Sequence, residues 1–367
     1  MIAALLTQRH EFIKGIESWL LLKLLWQNRF RISPKYFGRL INISFISLIP
    51  SIFSLFEISY KKAIESTEII EDPIIILGHW RSGTSYLHKL LSLDPNNTTP
   101  TVFQCAFPNC FITPKNNILR SKLANALPAH RPFDNVIMGV DEPFEDEFAL
   151  LKMTLISPML AAIFPKSQSF YESHYEDQAL TSKESNLWKE KLIWFLKKIT
   201  YLNNKKIVLK SPTHSFRINL LFDIFPKARF VSLYRNPYSV YSSTIHLWNK
   251  LLSHNKLQEF DLNNLHELVL SRYMKLFTCL ENAKKYIPPE QYYELRFEDL
   301  EKDPIKSIGH LYEKLDLGDF NSLKPFLENY ICEQGAYQKN DFFLSEKTKK
   351  DISKCWEPAF QAYGYKI

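Results

Sequence analysis

The chain has 367 residues, with hydrophobic types at 46% and charged types at 23%. Those proportions exclude a disordered chain, a collagen-like fibre and a coiled-coil rod, and the length fits one large α/β domain with appendages or two ordinary domains. Lys and Arg outnumber Asp and Glu by 46 to 39, a net charge of +7, which suits an anionic ligand or a membrane surface and is too diffuse for a nucleic-acid grip.

Aromatic residues are plentiful (27 Phe, 18 Tyr, 7 Trp), whereas there are only nine Gly. A glycine-containing loop is therefore not background here. Five cysteines, Cys105, Cys110, Cys279, Cys332 and Cys355, include no CxxC pair. They read as reduced thiols of a cytoplasmic protein, with neither a zinc site nor a disulfide framework.

Residues 1–70 read as an N-terminal helical segment. Met1 to Leu6 is apolar but too short for a signal peptide. Trp19 to Trp26 is interrupted by Lys23, and Leu40 to Phe56 carries no charge. The second stretch is long enough to be a marginal transmembrane candidate. Its Ser44, Ser47, Ser51 and Ser54 follow helical spacing, however, and Pro50 would kink a continuous span. A hydroxyl stripe beside Ile, Leu and Phe describes a helix with two different neighbours. Two readings stand: a helical cap, or peripheral contact with a membrane through residues 16–60, helped by Arg29, Arg31, Lys35, Arg39, Lys61 and Lys62.

From Glu71 the texture changes. Pro73 to Leu77 is a short apolar run, as in a strand buried on both faces of a parallel sheet. It leads through Gly78 to Ser85 into a helical pattern with Tyr86, Leu87, Leu90 and Leu91 apolar. Ile207 to Leu209, Arg229 to Tyr234 and Tyr292 to Phe297 predict further strands, each followed by a helix. Together they predict an α/β fold, a P-loop-type open parallel sheet flanked by helices, over 71–367 with an insertion at about 95–205.

The layout strand, Gly78, four residues, Gly83, hydroxyl, helix suits an anion-binding loop. Glycine lets backbone N–H groups turn inward, and the helix start adds a positive dipole end. The nucleoside-triphosphatase version carries Lys after the second Gly. Here Thr84 stands in that place, with Ser85 next, and the cation is Arg81. An arginine inside the loop can fork onto a terminal anionic group without a metal. Arg235 ends a later strand, Ser243 follows eight residues on, and Lys210 ends the intervening strand. Three cations at strand ends converge on the edge where open α/β sheets bind ligands. Any one alone would also serve as a solvated strand terminus.

These residues resemble sulfotransferases that use 3′-phosphoadenosine 5′-phosphosulfate (PAPS). The 5′-phosphosulfate loop of that family reads Pro-Lys or Pro-Arg, then Ser-Gly-Thr-Thr; Trp80-Arg81-Ser82-Gly83-Thr84-Ser85 is similar. The family's 3′-phosphate motif, Arg-Asp/Asn-Pro with a Ser eight residues after the Arg, matches Arg235-Asn236-Pro237 and Ser243. The large, chiefly bacterial branch is closer still. That likeness rests on LGHWRSGTSYLHKLLSLDP from Leu77, RPFDNV from Arg131, DEPFEDEFAL from Asp141, LKSPTH from Leu209, FEDLEKDP from Phe297 and YGY from Tyr363. The RKGxxG loop of animal cytosolic members is absent, as is the glutamate that tyrosylprotein sulfotransferases place shortly after the first loop.

The resemblance implies in-line sulfuryl transfer from PAPS, without a metal, to a hydroxyl or amine of a small-molecule, lipid or carbohydrate acceptor. Gly78, Arg81, Ser82, Gly83, Thr84 and Ser85 would hold the phosphosulfate, Arg235 and Ser243 the 3′-phosphate, and Lys210 the group in flight. A general base is also needed. His214 is one candidate, and would equally satisfy a helix start. Glu145, in a run of five acids from Asp141 to Glu147, is the other, with Asp146 and Glu147 beside it. A helix beginning near Pro143 would favour acids there for dipole reasons alone. His79 and His88 flank the loop and are weaker bets. A kinase on a related P-loop fold is the alternative, opposed by the missing Lys. Phe103, Phe107, Phe111, Phe133, Phe144, Phe148, Phe164, Phe170 and Tyr171 would line a lipid or aromatic pocket, or form a core.

Overall fold

The computed structural model describes residues 12–113, 117–131, 136–259, 265–334 and 343–367. Met1 to Leu6 and Phe133, with most of the RPFDNV stretch, lie outside the described residues. In chain order the main elements are α1 (Ser18–Gln27), α2 (Phe37–Glu57), β1 (Ile74–Gly78), α3 (Thr84–Ser92), β2 (Asn97–Thr98), α4 (Glu147–Thr154) and α5 (Ser182–Leu202). There follow β3 (Lys206–Lys210), α6 (Ile218–Ile224), β4 (Arg229–Tyr234), α7 (Pro237–Asn255), α8 (Leu265–Ala283), β5 (Tyr292–Arg296), α9 (Phe297–Lys302) and α10 (Pro304–Leu315).

The chain forms two compact units. One comprises residues 71–98, 205–248 and 262–367 and holds the sheet. Its five strands run in the order β2-β3-β1-β4-β5, all paired in parallel. β1 is central because Ile74, Ile75, Ile76 and Leu77 are all buried and can be covered on both faces. One face packs Ile74, Ile76, Val208 and Val231 against Leu87, Leu90 and Leu91 of α3 and Ile308 and Leu311 of α10. Each such aliphatic side chain contributes about 2 kcal/mol by leaving water. The order matters for function: from β1 the chain moves outward to β2, returns to β3, then crosses to β4. The carboxyl ends of β1 and β4 therefore flank a topological switch point, where such sheets take ligands.

The other unit comprises residues 1–70, 99–204 and 249–261 and is mainly helical. The serine stripe of α2 meets α1: the Ser18 amide donates to Ser51 Oγ at 2.8 Å, and Ser18 and Ser47 hydroxyls lie 3.0 Å apart. The start of α1, at Ser18, therefore packs against the middle of α2, at Ser47 and Ser51. Pro50 is buried within α2 and does not end it. The helix thus has two faces, as the sequence predicts: Ile43, Ile46, Ser47 and Pro50 buried, Ile41, Phe45, Leu48, Ile52 and Leu55 exposed.

Both ends of α2 are tied to its own unit. Arg39 donates to the carbonyls of Lys256 (2.6 Å) and Ser253 (3.2 Å). At the other end buried Glu57 accepts from Lys198 Nζ and from the Ile112 amide, each at 2.5 Å. Lys198 also donates to Pro108 O at 2.6 Å and lies 4.3 Å from the Phe111 ring centre. Burial lowers the Lys198 pKa, and Glu57 opposes that shift.

The aromatic-rich insertion is largely core. Phe103, Phe107, Phe111, Phe164 and Tyr171 are buried, and Phe170 alone of the described members named above is exposed. Phe111 meets Phe195 of α5 edge-on, and Phe148 lies 4.9 Å from Phe12 and 5.2 Å from Phe144.

Candidate active site

The loop after β1 is shaped by three left-handed residues. Gly78 has φ +138°, and a Cβ there would lie 2.5 Å from the Leu233 carbonyl oxygen. Gly83 has φ +100°, and its Cβ would lie 2.1 Å from the Phe297 ring. Between them Arg81 is itself at φ +70°, a conformation costing a non-glycine residue about 1–2 kcal/mol. Ser82 directs both its amide (3.1 Å) and its hydroxyl (2.8 Å) to the His79 carbonyl, which closes the turn. The Gly78 amide donates to Ser215 Oγ at 2.8 Å. α3 then begins at Thr84, so the first-turn amides lack acceptors within the helix.

The predicted cations are brought together. Arg81 Nε donates to Ser243 Oγ at 2.7 Å, joining the loop to α7. Arg235 donates to the Arg81 carbonyl at 3.3 Å, and its guanidinium lies 4.4 Å from the Phe297 ring centre. Lys210, buried at the end of β3, lies 3.3 Å from Ser85 Oγ. The two stretches expected to hold separate phosphates thus form one connected set.

The residues flanking the loop serve its packing. Trp80 is buried against Trp248 (5.9 Å) and Phe216 (6.3 Å), and His79 against Tyr273 (5.1 Å). His79 Nδ1 lies 2.8 Å from the Trp80 carbonyl, yet burial lowers its pKa to about 4. His88 reaches the Val208 carbonyl at 3.3 Å, and burial, helped by the Lys210 charge, lowers it to about 3. Both imidazoles are neutral at pH 7 and too weakly basic to activate a hydroxyl well.

Of the two base candidates, His214 lies fully buried in the 3-10 turn Pro212–Phe216, in the sheet-bearing unit. Glu145 lies half-buried in the helical unit. The helix expected near Pro143 starts instead at Glu147, because Pro143 pairs with Thr101 in an extended bridge and the Phe144 amide donates to the Pro100 carbonyl. Asp146 and Glu147 are fully buried, and Glu147 accepts from Ser157 Oγ at 2.5 Å. That bond gives Glu147 a structural part.

Three contributors escape the sequence reading. Phe297 closes on both Gly83 and Arg235. Glu298 accepts from the Asn236 amide (3.0 Å) and from Tyr365 (2.6 Å). Burial tends to raise the Glu298 pKa, but these donors outweigh it and hold it below the usual carboxylate range. Tyr363 stacks on Tyr234 at 4.4 Å. Their only sequence signal is that FEDL and YGY carried part of the resemblance.

A family model described as "Sulfotransferase family" matches residues 73–321, from the start of β1 past α10. The chain belongs to the sulfotransferase family. It is 34% identical over 357 residues to proteins of Mycobacterium bovis and Mycobacterium tuberculosis named omega-hydroxy-beta-dihydromenaquinone-9 sulfotransferase Stf3, covering 96% of this chain and 90% of theirs. Two solved structures share its fold: sulfotransferase STF9 from Mycobacterium avium (TM-score 0.72, 18% identity, 92% of this chain and 88% of that one) and sulfotransferase STF1 from Mycobacterium tuberculosis (0.67, 18%, 93% and 92%). The protein is thus a sulfotransferase enzyme of bacterial type, and the kinase alternative is set aside.

Proposed function

We propose that this sulfotransferase takes its sulfuryl group from PAPS and delivers it to the hydroxyl of a long-chain lipid. The observation that carries the donor assignment is the continuous set Ser243–Arg81–Arg235 at the switch point of the sheet. PAPS carries its activated sulfuryl group at the end of the 5′-phosphate and a separate phosphate on the ribose 3′-oxygen, so it calls for two linked anion sites. Glycine at 78 and 83 lets the loop take its left-handed turns against the Leu233 carbonyl and the Phe297 ring, which sets the backbone amides that follow at the start of α3. The Arg81 fork and the amides of Gly83, Thr84 and Ser85 would bind the phosphosulfate end. Arg235 and Ser243 would hold the 3′-phosphate, which ATP lacks. Lys210, beside Ser85, would neutralise charge on the transferring group.

His214 or Glu145 would take the acceptor proton. The lipid acceptor is supported by the named substrate of the mycobacterial relatives, a hydroxylated menaquinone. The test has two arms. PAP, the desulfonated donor product, raises the melting temperature without magnesium, whereas ATP with magnesium does not; the reverse order overturns the donor assignment. With radiolabelled PAPS, a hydroxylated prenylquinone is labelled in preference to a monosaccharide. Equal labelling of both overturns the acceptor class and leaves the donor untouched.

A further inference from the structure

The helical hairpin α1–α2 has an outer face that none of the described residues of its own unit covers. On α1, Trp19, Leu22, Trp26 and the following Phe30 are 54–71% exposed. On α2, Phe37, Ile41, Phe45, Leu48, Ile52 and Leu55 are 50–62% exposed. Ten large apolar side chains at half exposure or more present on the order of 1000 Å², against a few hundred for the largest patch of an ordinary monomer.

Charge around this face is mostly positive, although Glu65 pairs with Lys61 (3.7 Å) and Glu259 with Lys35 (3.9 Å) at its edges. Between residues 18 and 64 there are seven basic residues, Lys23, Arg29, Arg31, Lys35, Arg39, Lys61 and Lys62, and a single acid. That acid, Glu57, is buried and paired with Lys198. Trp19 and Trp26 are amphipathic side chains of the kind that settle at a lipid headgroup boundary. A second copy of the chain docked symmetrically on this face would set its basic rim against an identical one.

The 21-residue α2 has the length of a bilayer's hydrocarbon core, about 30 Å. Two observations oppose a span. Its serine face and Ile43 and Ile46 are turned into protein. Both its ends are also anchored in the same unit, through Arg39 to residues 253 and 256 and through Glu57 to Lys198 and Ile112. Crossing a bilayer would require one anchor to be given up: either the Arg39 bonds to the carbonyls of residues 253 and 256, or the Glu57–Lys198 pair, whose loss would leave a buried charge unpaired.

We propose that the α1–α2 hairpin is a monotopic membrane anchor that lies in the plane of an anionic bilayer, its apolar face sunk to the acyl boundary and its basic rim among the headgroups. The proposal does not depend on the identity of the acceptor, and its test does not measure sulfuryl transfer.

The full chain is floated with vesicles of phosphatidylcholine alone or mixed equally with phosphatidylglycerol. Binding is expected to the mixed vesicles, weaker binding to the neutral ones, and a loss of the difference in high salt. The triple variant Trp26→Ser/Phe45→Ser/Ile52→Ser should weaken binding on the order of a hundredfold, as expected for three apolar side chains that no longer enter the lipid. Its circular dichroism and melting temperature should match those of the unaltered protein. Lys23→Gln/Arg29→Gln/Arg31→Gln should erase the preference for phosphatidylglycerol while leaving binding to neutral vesicles. In a second readout that needs no triple variant, brominated lipid should quench tryptophan emission, and Trp26→Phe should reduce the quenching. Failure of the unaltered chain to float with either vesicle overturns the proposal. So does a triple variant that floats as well as the parent. Retention in membranes after an alkaline carbonate wash would replace the in-plane anchor with a span. A concentration-dependent dimer that the triple variant abolishes, without flotation, would assign the face to a second copy.

Discussion

Arg81 shows how much a single position in this loop has to satisfy. It holds a left-handed backbone, donates from Nε to Ser243 and offers its carbonyl to Arg235. Removing Arg235 deletes a charge from the proposed 3′-phosphate site. Arg235→Ala should therefore weaken PAP binding on the order of a hundredfold by calorimetry, the loss of one charged hydrogen-bonding partner; unchanged affinity would misplace that phosphate. Gly83→Ala forces a methyl into the Phe297 ring and a side chain into φ +100°. It should cost about 2–4 kcal/mol in urea unfolding and abolish the PAP-induced rise in melting temperature. For the base, His214→Ala and Glu145→Gln should both retain PAP binding. The one that lowers kcat by about a hundredfold or more, with KM for PAPS unmoved, identifies the group. If neither does, both candidates fail.

At the scale of elements, the end of the chain braces the start of α7. Tyr365 donates to Glu298, and Glu298 accepts the Asn236 amide beside Arg235. Tyr365→Phe should loosen that loop and weaken PAP binding several-fold, without the larger loss expected of Arg235→Ala; the ratio of the two affinities measures the brace. This network also marks the limit of what the sequence conveys. The strands and the loop were legible because a buried parallel strand is a continuous apolar run and Gly78 and Gly83 bracket a turn. β2, only two residues long, was missed because Asn97–Thr98 has no apolar pattern. α7 runs to Asn255, since no Gly or Pro interrupts it after its first residue. The convergence of Arg81 with Ser243 and the role of Phe297 arise from side chains far apart in the chain, which periodicity cannot register.

For the molecule as a whole, two buried neutral imidazoles make stability fall on the acid side. His79 and His88 titrate near 6.5 when unfolded and at about 4 and about 3 when folded. The unfolded chain therefore binds more protons as pH drops below 6.5, and the stabilisation present above that value is lost progressively towards pH 4 for His79 and pH 3 for His88. At pH 5 the loss is about 2 kcal/mol for each histidine. Urea unfolding at pH 7 and pH 5 should show it, and His88→Asn should shrink the difference by about 2 kcal/mol. An unaltered difference would mean that His88 takes up its proton within the folded state.

The bond between Arg81 and Ser243 has one more consequence. The two proposed anion sites are separated by more than 150 residues in the chain, yet Arg81 donates directly to Ser243. Changes in them are therefore expected to be non-additive: once Ser243→Ala has released the Arg81 side chain, altering Arg81 has less left to lose. Grafting only one motif from a relative with a different donor preference would strand its partner. On the proposed donor assignment, the two stretches would act as a pair.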